Sequence, residues 1–169
     1  MDVNGGDVSN SEAAAELDRR FQMFKFYEDA AQCTKRDAWT QTTWVLTLSG
    51  AILGFSMNLY VSHGSAPGFK AIAWGSAAAG LVLTVYATHV LSELAKHIRN
   101  YWSSANLLAV SHPLLRGYIP AKEAERAAQL GSEYRAEHPK FITRLRLPVL
   151  LFAAGHVIWA LYANVICGA

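Results

Sequence analysis

Residues 44–60, WVLTLSGAILGFSMNLY, contain no charged side chain. Extended back to Ala38 and on through Val61, the stretch is long enough to cross a hydrocarbon core of roughly 30 Å as one helix. Two further stretches match it, one opening at Ala71 and one running over 147–167. The hydrophobic fraction of 52% would be only mildly high for a soluble protein. What decides the class is clustering, since the apolar residues fall into three blocks and the charges lie almost wholly between them. The expectation is an all-α integral membrane protein with spans at 38–61, 71–95 and 147–167. Around them stand a disordered tail (1–10), an amphipathic helix (11–37) and a cytoplasmic helical segment (96–146). The first and second helices are expected to run on past the membrane into the cytoplasm.

Charge placement sets the expected orientation. Of the 15 Lys and Arg residues, five lie before the first span, nine lie between Lys96 and Arg146, and Lys70 alone falls between the first two spans. The positive-inside rule then puts the N-terminus and the 96–146 segment in the cytoplasm, with the 62–70 turn and the C-terminus outside. A net charge of +2 is too small to imply nucleic-acid binding, so membrane lipid is the expected surroundings. Cys33 and Cys167 fall on opposite sides in this topology and cannot pair within one chain; both read as small apolar fillers. The first apolar block begins too far in for a cleavable signal peptide, so the first span is itself the expected insertion signal.

Taken in order, the chain starts with a small, polar, Gly-containing stretch, MDVNGGDVSN. Ser9 with Glu12 has capping-box spacing, and Ser11 is an alternative N-cap, so a helix is expected to start there. From Glu12 to Ser49 there is neither Gly nor Pro. Leu17, Phe21, Phe24 and Ala31 form an apolar stripe at helical spacing. That stripe must be buried on the chain's own cytoplasmic segment, on a neighbouring subunit or on headgroups. Glu16, Glu28 and Asp29 nearby favour protein over lipid, because interfacial helices prefer Lys and Arg on their polar face. Trp39 and Trp44 at one end of the first span and Tyr60 at the other fit an aromatic belt. Gly50 and Gly54 form a GxxxG pair, and Gly75, Ser76, Ala79 and Gly80 give the second span a small face. Both patterns let helix backbones approach closely in lipid. Pro120, followed by Lys122 and Glu123, opens a short helix that Gly131 loosens. Pro139 precedes Lys140, Arg144 and Arg146, which are expected to anchor on lipid headgroups. Pro148 is expected in the first turn of the third span.

Three sets of residues could carry chemistry. His89, Glu93 and His97, at i, i+4 and i+8, are the best metal candidates. They span two turns and lack the Glu-x-x-His pairing of di-metal bundles, so a helix end with Glu93 paired to a nearby base is the favoured reading. His156 is an ionisable group near mid-depth of the third span. A neutral hydrogen-bonding role is favoured there over a proton relay or pore lining. Asn58, Thr84, Thr88 and Asn164 are further polar handles inside spans. GxSxG, P-loop, HExxH and dinucleotide fingerprints are absent from the sequence. No enzymatic activity and no cofactor are therefore expected.

Residues 24–52, FKFYEDAAQCTKRDAWTQTTWVLTLSGAI, resemble the RipA-type family of small octameric bacterial inner-membrane proteins. Tyr27 and Ala31 four apart, the basic Lys35–Arg36 and the Leu46-Thr47-Leu48 opening of the first span carry the likeness. The polar continuation His97-Ile-Arg-Asn-Tyr-Trp102 after the second span extends it. Lys35–Arg36 is slightly displaced from the family's Arg pair, and Ser49 stands where the family has Asn. The helical plan is also similar to the SLATT group of membrane effectors, for which pore formation is proposed. The resemblance implies a homo-oligomeric ring, an octamer in the family's form, in the bacterial inner membrane. The leading expectation is a pore or channel-like effector. Its rival is a non-conducting scaffold that docks a cytoplasmic protein through residues 98–146, and a metal-dependent membrane enzyme stands third.

Overall fold

The computed structural model describes residues 5–63 and 68–166. Over these the chain is all-α, with α1 (Gly5–His63), α2 (Phe69–Val110), α3 (Ala121–Leu130) and α4 (Lys140–Ile166), plus two short 3₁₀ turns at Arg116–Tyr118 and Gly131–Glu133. α1, α2 and α4 are each long and apolar enough to cross a membrane, which marks the chain as a multi-pass membrane protein. α1 has 59 residues and α2 has 42. A crossing needs about 20, so both helices have length to spare beyond the hydrocarbon.

The helix ends follow local chemistry, with two corrections to the expected boundaries. α1 begins at Gly5, inside the stretch expected to be disordered and ahead of the Ser9 or Ser11 start. Adding a residue to an existing helix costs far less than nucleating one, so the long helix behind it carries the weak former along. Met1–Asn4 lie outside the described residues. α4 begins at Lys140, so Pro148 sits within the helix instead of in its first turn. Its missing N–H leaves the Arg144 carbonyl without its usual partner, a loss that membrane helices tolerate when neighbouring groups supply hydrogen bonds. α3 starts straight after Pro120 and stops at Gly131, whose φ of +52° suits glycine and whose N–H donates to the Ala127 carbonyl.

The chain divides into two compact units. One takes the residues up to Lys35 together with Lys96–His138; the other takes Arg36–Ala95 and the chain from Pro139 on. The first unit is rich in charge. Its core sets Phe24 of α1 against Ala105 and Ala109 of α2, with Leu115, Ile119 and Ala124 closing the far side. The apolar stripe of α1 is thus partly buried on the chain's own 96–138 segment, the first of the three expected options. A second cluster joins Ala127, Tyr134 and Ala136.

The second unit holds the apolar parts of α1, α2 and α4. Val45, Ala87 and Val149 pack at one level. At another level Phe69, Ala73, Trp159 and Ala163 pack with Leu53 and Tyr60. Tyr60 stands edge-on to Trp159 at 5.5 Å between ring centres. Tyr60 is therefore engaged in packing, whereas Trp39 and Trp44 are exposed outward.

Candidate functional site

The polar groups of the second unit divide into an inward set and an outward set. On α1, Thr42, Ser49 and Ser56 recur every seventh residue and are all buried. The Thr42 hydroxyl donates to its own helix, to the Ala38 carbonyl at 2.8 Å. The two serines each meet a ring of α4. His156 is fully buried, with Nε2 3.1 Å from the Ser49 carbonyl and 3.0 Å from Ser49 Oγ. Its Nδ1 lies 2.9 Å from Ser76 Oγ of α2. A carbonyl only accepts, so the network assigns the proton to Nε2 and leaves Nδ1 to accept from the Ser76 hydroxyl. One imidazole thereby ties three helices together with its polar capacity satisfied, as burial demands. One turn further along α4, Trp159 Nε1 donates to Ser56 Oγ at 2.9 Å.

Gly80 is what admits the imidazole. A Cβ at position 80 would stand 2.5 Å from His156 Cδ2 and 2.6 Å from Cγ. The other glycines differ. A Cβ at Gly50 would touch Phe152 at 3.4 Å, while at Gly54 and Gly75 it would meet nothing within 4 Å. The GxxxG pair is thus split between an inward contact and an open outer face. Ser76 is buried and Ala79 half-buried. Trp159→Phe removes the indole donor and leaves Ser56 buried without it. The expected loss is about 1 kcal/mol, read as a lower unfolding midpoint in detergent with the helical spectrum retained.

His156, for which a neutral hydrogen-bonding role was favoured over pore lining, points into the chain's own core. Thr84 and Thr88, half-buried, donate back to the Gly80 and Thr84 carbonyls, which spends their protons within α2. Arg146, expected as a headgroup anchor, donates from Nη2 to Ser92 Oγ of α2 at 2.6 Å. Lys140 and Arg144 remain exposed. His89 and His97 are exposed and Glu93 is half-buried. Among the described residues no three His, Cys, Asp or Glu side chains gather as a metal site. Cys33 is exposed, not a buried filler, and Cys167 lies outside the described residues. Among known protein families, curated proteins and solved structures, no match to this chain is found.

The outward set is a seam on α1. Arg36, Thr40, Thr43, Thr47, Ala51, Gly54 and Asn58 follow one another at steps of three or four residues, and every one is exposed. At 3.6 residues per turn they share one face, opposite the buried Ala38, Thr42, Val45, Ser49 and Ser56. The remaining outward faces are bulky and apolar: Trp74, Leu81, Val82 and Val85 on α2, and Leu150, Leu151, Ile158 and Val165 on α4. The seam itself carries nothing bulkier than Thr or Asn between positions 40 and 58. The Thr40 and Thr43 hydroxyls donate to the Arg36 and Trp39 carbonyls at 3.0 Å, leaving oxygen lone pairs facing out. Sequence reading singled out Asn58 and Gly54, and Thr47 only as part of Leu46-Thr47-Leu48, but missed Thr40 and Thr43 and the face that joins them.

Proposed function

We propose that the chain assembles as a homo-oligomeric ring in the bacterial inner membrane and acts as a pore or channel-like effector, with the α1 seams lining the axis. The seam is the observation that carries this reading. Lipid tails offer no partner to Thr oxygens or to an Asn carboxamide, whereas neighbouring helices or a water column do. A face of small polar residues running through an otherwise bulky, apolar surface therefore fits an assembly interior. The basic residues outside the spans support a cytoplasmic N-terminus. Exposed Lys140 and Arg144 suit headgroup contacts on that side.

The test has two parts. The mass of the nanodisc-embedded protein is expected to correspond to several subunits, and the same sample to show discrete conductance steps in a planar bilayer. Single cysteines are then placed in a Cys33→Ser, Cys167→Ser background. At Thr43 and Thr47 they are expected to react with a charged, water-borne thiol reagent, and at Leu150 to stay unmodified. A monomer, or equal protection at all three positions, would overturn the proposal.

The scaffold reading also has an observation in its favour. The charged unit exposes Phe21, Leu114 and Tyr118 around a groove of about 300 Å³ that Leu17 and Asp18 complete. A ring of several subunits that never conducts, together with a protein that co-purifies only while Leu114 and Tyr118 are intact, would favour that reading.

A further inference from the structure

The seam carries one full charge, and it is positive. From Arg36 to Asn58 the face holds a guanidinium at one end, hydroxyls, Ala and Gly along its length and a carboxamide at the other end. α1 has no acidic residue from Ala38 to its end. Arg36 is exposed and belongs to none of the ion pairs seen among the described residues. One turn beyond it stands Thr40, where the uncharged part of the seam begins. Asp37 is the neighbouring counter-charge. It is also exposed, but one residue of helix turns it about 100° away from the seam, so the two charges do not share an axis-facing position.

Resting on the pore reading, we infer that Arg36 forms a basic rung at the mouth of the axis and makes the channel selective for small anions. In a symmetric ring each subunit presents this residue at the same height. Rings of Arg or Lys favour anions because a low-dielectric wall focuses their field on the passing ion. The threonine oxygens beyond the rung hydrate an ion of either sign, so discrimination falls to Arg36.

The probe is chloride against potassium, read as the reversal potential of reconstituted channels under a KCl gradient. The wild-type channel is expected to pass chloride several-fold better than potassium. Arg36→Lys is expected to keep that preference, Arg36→Gln to abolish it and Arg36→Glu to reverse it. Asp37→Asn is expected to leave its sign unchanged. Oligomer mass, measured for each variant, guards against loss of assembly. Should Arg36→Gln or Arg36→Glu fail to assemble, the unmodified channel's own ion preference and that of Arg36→Lys still decide. A conducting wild-type ring that prefers cations or shows no preference overturns the anion inference and leaves the pore standing, as does an unchanged ratio in Arg36→Gln. A ring that never conducts removes the pore reading and the inference with it.

Discussion

Gly80→Ala is expected to destabilise the membrane-spanning unit by about 3 kcal/mol, the upper end of the usual cost of overpacking. The added methyl would stand 2.5 Å from the His156 ring, far inside van der Waals contact, so something must move. A flexible side-chain tip could swing aside cheaply. This ring cannot, because it is fully buried and held on both nitrogens, by Ser49 and by Ser76. Retreat would break at least one of those bonds and leave a hydroxyl or carbonyl unpaired in an apolar core, where such a group is costly. The measurement is equilibrium unfolding in mixed micelles. It is most telling as a cycle with His156→Ala, which empties the space that the methyl needs. The double variant is expected to be more stable than the sum of the single losses, with a coupling of about 1 kcal/mol or more. Strict additivity would mean that Gly80 and His156 do not constrain one another.

How much of this was legible beforehand depends on whether a feature lives along the chain or around a helix axis. The three apolar stretches were readable because hydropathy clusters along the chain: 38–61 lies within α1, 71–95 within α2 and 147–166 within α4, while Cys167 lies outside the described residues. The ends were less readable. Gly5–Gly6 and Pro148 look like breaks in isolation, yet long helices absorb them. Partners across helices were not readable at all. His156 could be singled out as ionisable, but its meeting Ser49 and Ser76 depends on how three helices are rotated. The seven-residue recurrence of Thr42, Ser49 and Ser56 was available as a clue, since polar residues at that spacing keep to one side of a helix. The same holds for Thr40, Thr43, Thr47 and Asn58 on the other side. GxxxG marked a place of close approach without saying which glycine faced inward.

In the charged unit, Tyr134→Ala is expected to cost about 3–5 kcal/mol, as large aromatic truncations in cores do. Nothing periodic pointed to Tyr134, which follows a 3₁₀ turn in a polar stretch. Yet it is fully buried. Its hydroxyl donates to the Glu123 carboxylate of α3 and accepts from Asn106 Nδ2 of α2 at 2.7 Å. Arg126 holds that carboxylate from the other side at 3.0 Å. Beside it, Ser103 Oγ accepts the Ala136 N–H at 2.9 Å, so the segment after α3 is fastened to α2 at two points. Tyr134→Phe keeps the ring but takes the acceptor from Asn106 Nδ2 and leaves Glu123 to Arg126 alone, for an expected loss of about 1–3 kcal/mol. The hydroxyl also predicts a pH signature. Burial first, and then the hydrogen bond to Glu123, push its pKa from 10.0 up to about 12. A raised folded pKa means that the folded state holds the proton more tightly than the unfolded chain does. The resulting stability is fully present below pH 10 and drains away as pH rises through 12. Unfolding followed at a series of pH values should therefore show a fall in that window for the wild-type chain that is smaller in Tyr134→Phe. Matching pH profiles for the two proteins would mean that the Glu123 contact does not hold the phenol in its neutral form.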